Sequence, residues 1–200
     1  MIDNDSEYID ERFANLDLSC KEIENSKFAN CSFVGSDMGE IILSGCYFES
    51  CEFKGCKLNA GDIRRSAFTN CLFTYTDFFG TSFTNCKMIG SSFNTANMVG
   101  TRITGGNWSY TNLKHHNFKG NDFSEVDLSY ADMGECNLEK TIFNRARLIS
   151  TNLANAKLNG CNLRGAIVDG MNLSELPLEN VKMDIAQCIQ LARSHGALVE

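Results

Sequence analysis

Thr151-Asn152-Leu153-Ala154-Asn155, Ala156-Lys157-Leu158-Asn159-Gly160 and Cys161-Asn162-Leu163-Arg164-Gly165 are three consecutive five-residue words, each with a leucine at its centre. Outward from this stretch in both directions, an apolar residue recurs at every fifth position from Phe13 to Met183, thirty-five times without a slip of phase. An α-helix repeats every 3.6 residues or so and a flat strand every two, so neither generates a period of five. The pattern is that of a solenoid, in which each coil buries its apolar face against the next. The period occupies residues 13–183 of 200, which leaves an N-terminal segment (1–12) and a C-terminal module (184–200).

Aligning the words on the central residue, i, sharpens the register. Position i holds thirteen of the fourteen Phe, twelve Leu, five Met, three Ile, Trp108 and Val168. Two residues earlier, at i−2, twenty-seven of thirty-five positions are Ser, Thr, Cys, Ala, Gly or Val. Residues two apart in extended chain share a face, so i and i−2 both point inward, a large side chain beside a small one. Nearly all the charge lies at i−1, i+1 and i+2, and i+2 takes eleven of the sixteen glycines. That is the corner, where the chain turns and φ can be positive.

After Met183 the signal changes to that of a helix. Asp184 with Gln187 forms a capping box and Gly196 supplies the stop. Ile185, Cys188, Ile189 and Ala192 fall on one helical face, Leu191 at its edge, and Leu198 follows the glycine. This apolar set either covers the open end of the solenoid or makes a homodimer contact, and both roles are compatible.

Eighteen basic and twenty-five acidic residues give a net charge of −7, which disfavours binding nucleic acid through phosphates. The first twelve residues are acid-rich and lack an apolar signal core, and no segment is long enough to cross a membrane, so a cytoplasmic location is expected. Of ten cysteines, eight (Cys31, Cys46, Cys51, Cys56, Cys71, Cys86, Cys136, Cys161) sit at i−2, where a free thiol packs as a small apolar group. No CxxC or Cys/His spacing marks a metal or redox centre, and neither metal nor cofactor is expected. His116 occupies an i−2 slot and is expected to be buried against a backbone partner, and His115 to be exposed at a turn. The chain has no Ser/His/Asp arrangement and no glycine-rich phosphate loop, and a filled rod offers no catalytic cleft, so an enzyme is not expected.

Binding surfaces remain. Asp17, Asp37 and Asp77 fall in one i−1 column, interrupted by Lys57, with Glu40 beside them: an acidic strip. Phe79, the one phenylalanine outside the central register, lies one coil below Val99 with Tyr75 nearby: an apolar patch. Exposed aromatics are enriched in protein interfaces.

Words such as Ala131-Asp132-Met133-Gly134-Glu135, Thr151-Asn152-Leu153-Ala154-Asn155 and Cys161-Asn162-Leu163-Arg164-Gly165 resemble the consensus of the pentapeptide-repeat family over nearly the whole chain. The resemblance implies an all-β solenoid, a right-handed quadrilateral β-helix with four words per coil and a short C-terminal α-helix. At the spacing of paired strands, nearly nine such coils make a rod about 40 Å long. Val181-Lys182-Met183-Asp184, Gln187 and His195-Gly196-Ala197-Leu198 further resemble the C-terminus of the quinolone-resistance group of this family, Qnr and MfpA. That group forms rod-like dimers through the C-terminal module, imitates duplex DNA, and binds DNA gyrase and topoisomerase IV. The larger Qnr proteins carry loops between coils; no insertion interrupts the period here, as in MfpA. The alternative expectation is a pentapeptide-repeat scaffold for another protein partner, centred on Phe79 and its neighbours.

Overall fold

The computed structural model describes residues 2–199. Every coil takes twenty residues. Glu7 pairs in parallel with Lys27, and the same offset recurs up the rod as far as Asn162 with Lys182. One face carries the parallel sheet β1 (Glu7–Ile9), β3 (Lys27–Ala29), β5 (Tyr47–Glu49) and β7 (Ala67–Thr69). The neighbouring face carries β2 (Glu22–Glu24), β4 (Ile42–Ser44), β6 (Asp62–Arg64), β8 (Ser82–Thr84) and β9 (Arg102–Thr104). The other two faces, and the faces beyond Thr104, pair through single bridges between tight turns, except from Asn97 to Asn117, from Arg102 to Asp122 and over part of the last coil. The fold is thus the expected quadrilateral β-helix.

The core follows the register. Phe33, Phe53, Phe73 and Phe93 stack along one face with centroids 4.9 to 5.0 Å apart, and Phe28, Phe48 and Phe68 along the next at 4.7 and 4.6 Å. Coil spacing and ring stacking coincide, so a phenylalanine column satisfies backbone and side chains together. The solenoid begins before Phe13. Tyr8 is also in register, stacks on Phe28 at 5.1 Å and belongs to β1, so much of the segment 1–12 is part of the first coil.

Two polar devices explain the small and acidic positions. The i−2 hydroxyl or thiol donates to the carbonyl of a core residue in the coil below: Ser36 to Phe13, Cys56 to Phe33, Thr76 to Phe53 and Thr141 to Phe118, at 2.5, 2.8, 2.7 and 2.9 Å. These carbonyls sit inside the corner, away from water, where an unmet acceptor costs about 1–3 kcal/mol. Small size alone therefore does not explain the cysteines. At i−1, Asp or Asn accepts the N–H two residues on, as Asp37 does from Gly39 at 3.1 Å and Asn152 from Ala154 at 3.0 Å. Such a side chain stands in for a turn of backbone. The i+2 corner is left-handed whatever residue fills it: φ is 57° at Tyr75, 60° at Tyr130 and 47° at Arg65.

Within the rod, the large i−2 residues Ile41 and Val126 each adjoin a glycine in their column. Ile41 lies under Gly61, and Gly106, where a Cβ would collide with the Cys86 carbonyl, lies under Val126. His116 and Asn121 have no such partner: their columns continue Ala96–Cys136 and Thr101–Thr141. Between the coils there, the backbone ladder opens on two faces. At the C-terminal end, Met171 and Leu176 occupy i−2, Pro177 lacks an N–H, and a 3-10 turn (Leu173–Glu175) replaces one word.

Candidate functional site

The helix α1 (Ile185–Ser194) opens with the expected capping box between Asp184 and Gln187. Gln187 does more than cap. Its amide donates to Leu163 O at 2.5 Å and Ala166 O at 2.8 Å, which makes a buried polar bolt between helix and last coil. Only Leu191 of the apolar set packs against the core cluster, with Ile189 and Ala192 half-buried. Ile185 is 81% exposed, Leu198 96% exposed and Cys188 exposed, so much of the apolar set faces away from the last coil.

In the acidic column, Asp17, Asp37, Lys57 and Asp77 stand in bridging register, as expected from the period. Their carboxylates are engaged. Lys57 Nζ lies 2.8 Å from Asp37 Oδ2, and Asn97 Nδ2 donates to Asp77 Oδ1 at 2.8 Å. The hydrogen bond from Lys57 and the Gly39 N–H hold the Asp37 carboxyl below its usual range, and the Ser19 hydroxyl and N–H do the same for Asp17. Glu40 is exposed at a left-handed corner with φ 56°. Above Asp77 the column continues as Asn97, Asn117, Asn137 and Lys157. The strip therefore stops near mid-rod. Acid is instead concentrated around the first coils, where residues 1–52 hold twelve carboxylates against three basic side chains.

In the apolar patch, Tyr75, Phe79 and Val99 are all exposed, Phe79 by 57% and Val99 by 53%. Asp77 fixes the turn beneath Phe79 by accepting its N–H at 3.0 Å. A second aromatic feature was not singled out in the sequence: Tyr110 and Tyr130 stack at 4.8 Å and 8° on successive corners, both exposed. Their spacing of twenty residues is the signal that marks them. His116 is buried, and its Nε2–H donates to Phe93 O at 2.9 Å. The core thiols are free, and burial pushes those of Cys56, Cys136 and Cys161 up to about 12. Among the described residues no group of three or more His, Cys, Asp or Glu side chains is placed to hold a metal ion. No helix among them is long and apolar enough to cross a membrane.

The family model of the pentapeptide repeat region matches residues 21–82 and 76–150, and that of eight-copy pentapeptide repeats matches 141–175. The chain belongs to the pentapeptide-repeat family. No curated protein matches it in sequence. Among solved structures it is similar to a trypsin-treated form of QnrB1, described as a plasmid-mediated fluoroquinolone resistance protein, with a TM-score of 0.87 and 20% identity over 99% of each chain. Full-length QnrB1 gives 0.86 and 21%, covering 97% of this chain and 99% of that one. The pentapeptide-repeat fold is thus shared with QnrB1 from end to end. Family members of this kind are structural or binding proteins.

Proposed function

We propose that this pentapeptide-repeat protein binds a type II topoisomerase, DNA gyrase or topoisomerase IV, as a rod that imitates duplex DNA, and so modulates quinolone action. The observation that carries the reading is the end-to-end likeness to QnrB1, over 99% of both chains. The twelve carboxylates of residues 1–52 support it, because with three basic side chains they give that end of the rod a net charge of −9, whereas the remaining residues sum to +2. Opposed charge of this kind steers a basic, DNA-binding groove toward the acidic coils and weakens with salt. The rod is a homodimer in this reading, joined through Ile185, Cys188, Ile189, Leu191, Ala192 and Leu198. The outward turn of Ile185 and Leu198 supports that assembly. Two C-terminal modules back to back place both acidic ends at the outer tips. The protein acts without chemistry of its own, inside the cytoplasm. A supercoiling assay with purified gyrase, with and without ciprofloxacin, tests the reading.

A second reading has its own support. The exposed cluster Tyr75, Phe79 and Val99 fits a scaffold for another protein partner, with no topoisomerase role. A pull-down that retains partner binding after charge neutralisation but loses it on Phe79→Ser favours this reading.

A further inference from the structure

The backbone ladder of the rod is interrupted at one internal place. In the coil just beneath the interrupted pair, the N–H groups of Phe78, Gly80 and Asn85 donate upward to Asn97 O, Val99 O and Thr104 O at 2.8, 3.0 and 2.8 Å. The equivalent groups one coil higher, on Met98, Gly100 and Gly105, have no backbone partner above them among the described residues, and Ile103 shares this state. From the opposite rim, Asn97 and Arg102 reach down to Thr76 O and Thr81 O at 2.8 and 2.9 Å, whereas their counterparts Asn117 and Asp122 make no such bond. On the other two faces the same coils stay joined: Asn112 N–H meets Ser91 O at 3.0 Å and Trp108 N–H meets Asp127 O at 2.7 Å. The gap is therefore a wedge, closed along one side and open along the other.

His116 and Asn121 hold it open. Each fills an i−2 slot with a side chain longer than a hydroxyl, and neither has a glycine directly above or below it in its column. His116 still reaches the Phe93 carbonyl, but across a whole imidazole, and Asn121 Nδ2 contacts Thr101 O at 3.3 Å where the Asp122 N–H belongs. The resulting cleft has a volume of about 460 Å³ and is lined by Gly100, Arg102, Thr104, Gly120 and Asp122 among others. Val99 immediately precedes Gly100 of the lining, and the exposed Phe79 lies one coil below it.

We propose that this cleft is a docking slot for an extended polypeptide segment of a partner protein, bound through its backbone, with an apolar side chain resting on Val99 and Phe79. The chemistry of the rims selects that occupant. Between them the rims present a row of N–H donors and a row of carbonyl acceptors, each rim contributing to both: Met98, Gly100, Ile103 and Gly105 N–H from below, Asn117 and Asp122 N–H from above, with the carbonyls that would have faced them. A polypeptide backbone answers both rows, as when a peptide adds to a sheet edge. An anion answers only the donors, and a nucleic acid backbone leaves the carbonyls unmet. The slot does not depend on the topoisomerase reading and holds for either partner class.

The test begins with amide exchange by NMR on the free protein. Met98, Gly100, Ile103 and Gly105 should exchange about a hundredfold faster than Phe78, Gly80 and Asn85. A phage-displayed library of short linear peptides is then selected on the wild-type protein and depleted on the closed variant His116→Ser/Asn121→Thr. Enriched peptides should bind wild type about tenfold more tightly than the closed variant, and Val99→Asp should weaken them by a similar factor. They should slow exchange at the four amides, and N-methylation of alternate peptide residues should cost about tenfold in affinity. Should the closed variant fail to fold, Val99→Asp and the N-methylated peptides decide. The proposal is overturned by four amides already protected in the free protein, or by a selection that yields no wild-type-specific peptide. Affinity indifferent to N-methylation, or protection that rises with protein concentration alone and so assigns the slot to a second copy of this chain, overturns it equally.

Discussion

His116 donates its Nε2–H to the Phe93 carbonyl at 2.9 Å, filling with an imidazole the role that Ser36, Thr76 and Cys56 fill with a hydroxyl or thiol. The bond needs a proton on Nε2, which the neutral and the charged ring can both supply, so it is burial that favours the neutral form. Burial lowers the His116 pKa from 6.5, against the backbone hydrogen bond, which raises it, and neighbouring His115 adds a smaller downward push. In the unfolded chain the ring binds a proton more readily, so acid favours unfolding. This contribution to stability is complete above about pH 6.5 and is lost as pH falls toward the lowered folded value. The melting temperature should drop between pH 7 and pH 5, and His116→Ser should flatten that slope. Parallel melting curves for both proteins across this range would contradict the assignment.

The core register has a simple mutational signature. Phe73 is wholly buried between Phe53 and Phe93, and its truncation to Ala should cost about 3–5 kcal/mol through the cavity left behind. Phe79 is exposed, and the same change there should cost under about 1 kcal/mol. Denaturant titrations of the two variants compare them directly.

Charge and turn geometry are separable in the acidic column. Asp37 and Asp77 each accept an N–H through Oδ1, an acceptor that Asn retains. The triple change Asp37→Asn, Glu40→Gln, Asp77→Asn should leave the melting temperature near wild type and weaken gyrase binding about tenfold. Reversal of Asp37 and Asp77 to Lys removes the turn acceptors as well, so it should lower the melting temperature in addition, contrary to what surface position alone would imply. Thermal melts read beside a gyrase binding titration distinguish charge from fold.

Cysteine reactivity reports on assembly. Eight thiols are buried, and Cys20 and Cys188 are exposed on the isolated chain. Buried thiols held in the neutral form do not attack alkylating reagents. Native protein should therefore modify at Cys20 and Cys188 alone when dilute, and Cys188 should become protected as concentration rises if α1 forms the dimer contact. Mass spectrometry after a short iodoacetamide pulse reads this. Equal Cys188 labelling at all concentrations, with sedimentation as a monomer, would leave α1 as a cap only.

The period of five made the coil, its inward positions, the Phe columns and the Asp184–Gln187 cap legible, because each is a direct consequence of spacing. What spacing hides is polar. That Thr76 and Cys56 quench a buried carbonyl requires the position of a carbonyl one coil away. That Tyr75 and Tyr130 adopt positive φ follows from the corner and not from their own preference. The wedge at His116 and Asn121 depends on what lies twenty residues above and below each, so only columns read together with side-chain length disclose it. Tyr8, lying outside the Phe13–Met183 run, joined the solenoid through its stack on Phe28.

In the proposed function this rod engages gyrase as DNA does. A supercoiling and cleavage assay with purified gyrase, titrated with the protein in the presence and absence of ciprofloxacin, measures it. Altered supercoiling and less drug-induced cleavage are expected in a dose-dependent manner, with the effect fading as salt rises. Supercoiling and cleavage unchanged at every protein concentration would contradict it and leave the scaffold reading in its place.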